Sequence, residues 1–243
     1  MSNSTGYDLV LLDADGTLFD FDAAAEAAFR AAHTDKGLGS SFSVDELFAA
    51  YRVINHGIWA ELERGEIDKE TLKAERFRRL FAEFSIQADA VEFSAFFLER
   101  LAEGAQLIPG AEDFVRALVA AGKCLAIITN GISAVQRGRF ARSPFGSLIP
   151  ALLISEELGA EKPARAFFSE AFRRLGRAEG DTAGVVVVGD SWSADIVGAL
   201  GFGLDAVWFN PAGKLLPTEV LRNGISVVDA RTYADVLAAI NGQ

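Results

Sequence analysis

The feature that most constrains this chain is an alternation between two hydrophobic periods. Short, uninterrupted apolar runs occur at residues 9–12, 125–128, 152–154, 185–188, 206–209 and 225–228. Runs of that length without polar alternation read as strands covered on both faces, the habit of parallel sheets. Between several of them, apolar residues recur at helical spacing. Phe114, Val115, Leu118 and Val119 form one stripe, opened by Pro109-Gly110 and stopped by Gly122. Phe167, Phe168, Ala171, Phe172 and Leu175 form a second, and Tyr233, Val236, Leu237 and Ile240 a third. This alternation predicts an α/β fold: a Rossmann-like, doubly wound parallel sheet with helices on both faces.

Residues 18–103 break the rhythm. They hold no comparable apolar run and read as consecutive amphipathic helices. Leu47, Tyr51, Ile54, Ile58 and Leu62 share one face; Phe77, Leu80, Phe81 and Phe84 share another; Phe93, Phe96, Phe97 and Leu101 share a third. So many phenylalanines at that spacing are most simply the core of a bundle. A helical block between the first and second strands of a sheet is an insertion. The expected organisation is therefore a sheet core of residues 1–17 and 104–243 carrying an inserted helical cap domain, 18–103.

Composition narrows the function classes. Half of the 243 residues are apolar, which excludes a disordered chain, and 34 acidic against 23 basic residues give a net charge of −11. That balance repels a nucleic-acid backbone or an anionic membrane, so neither polymer nor membrane is an expected partner. The single cysteine, Cys124, has no partner for an intrachain disulfide, and its place beside an apolar run predicts core. The two histidines, His33 and His56, do not make a zinc-ligand spacing. The first residues lack the basic flank and apolar run of a secretory signal, and no apolar stretch reaches membrane-spanning length. A soluble cytoplasmic protein is the expectation.

In parallel sheets, ligands sit beyond the carboxyl ends of the strands, so the residues following each apolar run carry the chemistry. They are Asp13-Ala14-Asp15-Gly16-Thr17, Thr129-Asn130-Gly131, Lys162-Pro163, and Gly189-Asp190-Ser191 with Asp195 further on. Carboxylates gathered in one crevice repel each other unless a cation lies between them, and hard oxygen ligands of this kind favour Mg²⁺. Each piece alone has a plainer reading. Asp15-Gly16 could be a hairpin turn, but a helical segment follows where the second strand would be. An EF-hand is excluded by the preceding strand and by the lack of an Asp-Gly at the required spacing. Asn130-Gly131 could be a simple turn, Lys162 a solvated charge and Asp195 a helix decoration. Their common position at strand ends favours a site.

In their order, these four motifs resemble those of the haloacid dehalogenase superfamily of phosphatases. The helical insertion after the first motif lies where that family's type-1 cap belongs. A narrower similarity, to the pyrimidine 5′-nucleotidase branch, rests on Leu18-Phe19-Asp20-Phe21-Asp22, Ile54-Asn55 with Trp59 and Glu63-Arg64-Gly65, Ile128-Thr129-Asn130-Gly131, Ile154-Ser155-Glu156-Glu157, and Trp208-Phe209-Asn210-Pro211. The resemblance implies hydrolysis of a small phosphate monoester through an aspartyl-phosphate on Asp13, with Asp15 as general acid and base. It also implies Mg²⁺ held by Asp13, the Asp15 backbone carbonyl and Asp190, with Asp195 outside the inner ligand set. Thr129, the N–H groups of Asn130 and Gly131, and Lys162 would grip the phosphate. The cap would close over the site, with Phe21, Asn55, Trp59 and the 63–68 turn as candidate substrate contacts.

Four rivals are weighed against this reading. A dehalogenase of the same superfamily has no need of the acid at Asp15. A phosphomutase shares the motifs and would be told apart by its product. Gly198, Gly201 and Gly203 are in the wrong order for a dinucleotide fingerprint. A catalytically idle phosphate sensor has nothing in the sequence to favour it.

Overall fold

The computed structural model describes residues 6–38, 42–215 and 226–242. In chain order the elements are β1 (Leu9–Leu12), α1 (Phe21–Lys36), α2 (Val44–Glu63), α3 (Lys69–Glu83), α4 (Ala90–Glu103), α5 (Ala111–Ala120), β2 (Cys124–Thr129), α6 (Ser133–Arg142) and β3 (Ala151–Ile154). They continue with α7 (Ser155–Leu158), α8 (Arg165–Arg174), β4 (Val185–Gly189), a π turn (Trp192–Ile196), α9 (Val197–Phe202), β5 (Asp205–Phe209), β6 (Val227–Ala230) and α10 (Tyr233–Asn241). Of the final apolar run, Ile225 lies outside the described residues.

Among the described residues, six strands pair in parallel in the order β3-β2-β1-β4-β5-β6. The period-two geometry of a strand divides each apolar run between two cores. Val10, Leu12, Leu125, Ile127, Val186 and Val188 pack with Phe114, Val115 and Leu118 of α5 and with Val236 and Ile240 of α10. Leu9, Leu11, Ala126, Ile128, Val185 and Val187 pack with Phe167, Phe168 and Phe172 of α8 and with Phe202 of α9. Helices therefore cover both faces, as the alternation predicts.

Two expectations need correction. Val119 and Cys124 are both exposed. Val119 stands in the last turn of α5, where the stripe has rotated off the sheet, and Cys124 is the first residue of β2, before the buried part of that strand begins.

The chain divides into two compact units: Met1–Phe21 with Ala105–Gln243, and Asp22–Gly104. In the first, the segments leading out of and back into the sheet are held together. Asp20 N–H donates to the Gln106 carbonyl and Ile108 N–H to the Leu18 carbonyl, both at 3.0 Å, and Phe19 bridges Leu107 in antiparallel fashion.

The second unit is helical. Ser43, Asp68 and Asp89 cap α2, α3 and α4 through their side chains, with Glu46 completing a capping box at Ser43. Its interior is aromatic: the Phe77 ring lies 5.4 Å from Tyr51, 4.9 Å from Phe93 and 5.2 Å from Phe97. Among these rings sits Arg76, buried, donating to Asn55 Oδ1 at 3.2 Å and lying over Phe77 and Phe97. Burial holds its guanidinium below the usual arginine value despite the nearby Tyr51 hydroxyl. Among the described residues, no helix is long and apolar enough to cross a membrane.

Phe77 has no solvent exposure and packs against the rings of Tyr51, Phe81, Phe93 and Phe97, so Phe77→Ala leaves a cavity at the centre of the bundle. The expected loss is about 3–5 kcal/mol, read from equilibrium denaturation of the full chain; a loss within the range of surface substitutions would contradict this account of the bundle.

Candidate active site

The strand order reverses beside β1. From β1 the chain steps to β2 and β3 on one side, then returns to β4 on the other, so the carboxyl ends of β1 and β4 flank a switch point. Leu12 is in register with both Ile127 and Val188, and Asp13 N–H donates to the Val188 carbonyl at 2.9 Å. Asp13 thus leaves the sheet alongside Gly189 and Asp190. Gly16 turns the chain there with φ 83°, and a Cβ at that residue would overlap the Asp190 carboxylate. Both the left-handed backbone and the close approach demand glycine.

Lys162 lies at the centre of the site and is only 2% exposed. Its ammonium donates to Asp13 Oδ1 at 2.7 Å, Asp195 Oδ1 at 2.6 Å and the Ile128 carbonyl at 2.8 Å, which uses all three protons. The backbone from which it reaches is clamped by the Asn130 carboxamide. Lys162 N–H donates to Asn130 Oδ1 at 2.9 Å, and Asn130 Nδ2 donates to the Lys162 carbonyl at 2.8 Å. The Lys162-Pro163 peptide is cis.

Asp195 is fully buried within the π turn, and its second oxygen accepts the Ser191 N–H at 3.0 Å. Gly189 makes room for that carboxylate by lacking a Cβ. Thr129 ends β2, and its hydroxyl accepts the Gly131 N–H at 3.0 Å. The hydroxyl of Thr17 donates to Asp13 Oδ2 at 3.3 Å.

Oxygens of Asp13, Asp190 and Asp195 lie within 4.8 Å of one another, a cluster that could hold a metal ion. Lys162 is paired with Asp13 and Asp195, and Lys214 acts on Asp190 by its charge, so the carboxylates still outnumber the ammonium groups. Burial first, then the charge of Asp195, pushes Asp13 well above the usual carboxylate range, against the pull of Lys162. Burial and Asp195 likewise raise Asp190, to about 7. Burial alone would lower Lys162, but the charges of Asp13 and Asp195 outweigh it and raise its pKa.

Asp15 faces another way. One of its oxygens accepts Gln136 Nε2 at 2.5 Å, and the other is paired with Arg139. Both partners belong to α6. Gln136 and Arg139 were missed in the sequence, because Ser-Ala-Val-Gln-Arg-Gly-Arg-Phe-Ala-Arg reads as a polar surface helix with ordinary solvated arginines. The one available signal is that Val135, Gln136 and Arg139 share a face at helical spacing.

A second unforeseen group is the Trp208 indole, which donates to the Asp190 carbonyl at 2.9 Å while Trp192 packs edge-on against it. Of the remaining candidates, Phe21 is half-buried at the start of α1. Asn55 is buried and engaged by Arg76, and Trp59 packs against Ile58, Leu62 and Leu72.

A parallel sheet with an acidic cluster and a buried lysine at its switch point puts a charged site that could hold a metal ion where α/β proteins bind their ligands. Residues 7–203 match the family model described as haloacid dehalogenase-like hydrolase, and the chain belongs to that family. Among its relatives, the HAD-hydrolase YfnB of Bacillus subtilis is 32% identical over 89% of this chain and 92% of its own. The pyrimidine 5′-nucleotidase PynA of Streptococcus pneumoniae is 31% identical over 84% of each chain. The pyrimidine 5′-nucleotidase YjjG of Escherichia coli is 30% identical over 88% of this chain and 91% of its own. A crystal structure of YfnB bound to magnesium, which reveals interdomain movement, superposes with a TM-score of 0.86 over 97% of this chain and 99% of that one, at 29% identity.

The raised carboxyls make stability depend on pH. A group whose pKa is higher folded than unfolded binds more protons when folded, so stability is lost as pH rises from the ordinary carboxylate value towards about 7, where Asp190 titrates. A divalent cation on the cluster offsets that loss. With chelator present, the Tm contribution of the cluster is therefore expected to fall between about pH 4 and about pH 7, and added MgCl₂ to raise Tm more at about pH 8 than at about pH 5. Differential scanning fluorimetry checks this; an equal or larger rise at the lower pH would contradict it.

Proposed function

We propose that the protein is a Mg²⁺-dependent phosphatase that hydrolyses small phosphate monoesters through an aspartyl-phosphate, with pyrimidine nucleoside 5′-monophosphates as its substrate class. The observation that carries the chemistry is the placement of Asp13 at the switch point, hydrogen-bonded to a buried Lys162 and beside Asp190. Support for the substrate class comes from PynA and YjjG, both named pyrimidine 5′-nucleotidases, and from the length of chain over which they match.

The donor set suits Mg²⁺, being hard carboxylate oxygens gathered within 4.8 Å of one another. The Asp13 carboxylate, the Asp15 carbonyl and the Asp190 carboxylate would hold it. Both oxygens of Asp195 are committed, one to Lys162 and one to Ser191 N–H, so Asp195 supports the cluster from outside. Bound there, the cation neutralises charge on the Asp13 carboxylate and on the phosphate.

Asp13 attacks phosphorus, forming a carboxyl–phosphorus bond as the ester P–O bond breaks. Asp15, paired with Arg139 through one oxygen and carrying a proton taken from solvent on the other, gives that proton to the departing alkoxide, which leaves as the alcohol. Water then attacks the aspartyl-phosphate, Asp15 takes its proton back, and inorganic phosphate departs with Asp13 regenerated. Lys162, whose protons are committed within the cluster, stabilises the transferring group by its charge, while the Thr129 hydroxyl and the N–H groups of Asn130 and Gly131 bind its equatorial oxygens. For the Gly131 N–H, this means exchanging the Thr129 oxygen for a phosphate oxygen.

Phosphate release from a panel of pyrimidine and purine nucleoside monophosphates, sugar phosphates and phosphoglycolate, with Mg²⁺ and with chelator, tests the reading. The highest kcat/KM is expected for a pyrimidine nucleotide, and activity is expected to vanish with chelator; a sugar phosphate at the head of the panel would replace the substrate class. Asp13→Asn should lose essentially all turnover, and Asp15→Asn about 10²–10⁴-fold in kcat. Acid-quenched protein should carry phosphate on the peptide containing Asp13. Phosphate mapped elsewhere, or turnover by Asp13→Asn near the wild-type rate, would overturn the mechanism.

A further inference from the structure

The Asp15 carboxylate is held by more than its own loop. Arg139 is fully buried, pairs with one oxygen of Asp15 and lies over the Phe19 ring, 4.7 Å from its centroid. Gln136, 2% exposed, donates to the other oxygen at 2.5 Å. A buried arginine is costly to keep, and this one spends its charge on a carboxylate at the mouth of the sheet. The planar guanidinium and the carboxamide together fix the plane of the carboxylate as well as its position.

The surroundings are built to let α6 do this. Gly131 precedes α6, and a Cβ at that residue would overlap the Gln136 side chain, so the glycine clears the path from helix to carboxylate. The start of the helix is itself anchored by α7. Ser133 N–H donates to Glu156 at 2.6 Å, Ser133 Oγ donates to Glu157 at 2.5 Å, and Arg137 donates to both oxygens of Glu157. A chain of contacts thus runs from Glu156-Glu157 through α6 to the two oxygens of Asp15.

We propose that Gln136 and Arg139 are positioning residues for Asp15, and that through it they set how well the site expels a leaving group that needs a proton. The proposal rests on the phosphatase reading above, in which Asp15 hands that proton over. Neither residue touches the reacting phosphorus. Their effect should therefore follow the leaving group and spare the binding of phosphate.

The test compares 4-nitrophenyl phosphate, whose phenolate departs readily without help, with phenyl phosphate, a near-isostere with a poorer leaving group. Gln136→Met removes the donor and keeps the length of the side chain. It is expected to lower kcat on phenyl phosphate about tenfold more than on 4-nitrophenyl phosphate, with KM on both within about twofold of wild type. Arg139→Met should show the same selectivity, and Arg139→Lys should recover part of the loss by restoring the charge without the fork. Should the Arg139 variants fail to fold, Gln136→Met alone decides. In an Asp15→Asn background, Gln136→Met should cost nothing further, because the group it positions is gone.

Equal losses on the two esters, or a loss that adds to that of Asp15→Asn, would overturn the inference and leave the phosphatase reading standing. A wild-type protein that in the presence of Mg²⁺ hydrolyses neither aryl ester nor any phosphate monoester of the panel above would remove both.

Discussion

A single buried ammonium holds Asp13 and Asp195 apart at the carboxyl end of the sheet, and much of the local backbone exists to allow that crowding. Charges taken out of water at this depth survive only if each finds partners. Lys162 has three acceptors, Asp195 has two donors, and Asp13 has Lys162 and the Thr17 hydroxyl. Glycine at 16 and 189 leaves space that any other residue would fill. The Asn130 carboxamide and the Trp208 indole then fix the two loops from which Lys162 and Asp190 emerge. Even so, positive charge falls short of negative, and that shortfall is the physical reason an arrangement of this kind suits a divalent cation.

The sheet was legible in the sequence because strands of a parallel sheet are buried on both faces and so appear as unbroken apolar runs. Four of the loops that follow these runs carry the acidic cluster, Thr129 and Lys162, and the rule that ligands sit at strand ends was enough to locate them. The rule says nothing about which way a side chain turns. Asp13 and Asp15 are separated by one residue, yet Asp13 faces Lys162 and Asp15 faces α6.

Less legible were the groups whose surroundings come from tertiary packing. Arg139 and Arg76 are among the most deeply buried side chains, although arginine on a polar helix ordinarily reads as solvated. One is covered because Asp15 draws it inward over Phe19, the other because an aromatic bundle closes around its guanidinium. Asp15 and Phe19 are remote from Arg139 in sequence, and Tyr51, Asn55 and Phe97 are remote from Arg76, although Phe77 is its neighbour. Val119 and Cys124 erred in the opposite direction: periodicity and neighbourhood mark a face or a strand, and both residues sit where that face or strand runs out into solvent.

The bridging of Phe19 to Leu107, with the hydrogen bonds that flank it, has a further consequence. To the sheet, everything between these residues is a loop whose two feet are already fastened side by side. Lengthening, shortening or rewriting such a loop changes the entropy of closure only slowly and leaves the register of β1 and β2 untouched. The architecture therefore lets the helical unit vary in length and sequence without any change of register in the sheet that carries the acidic cluster.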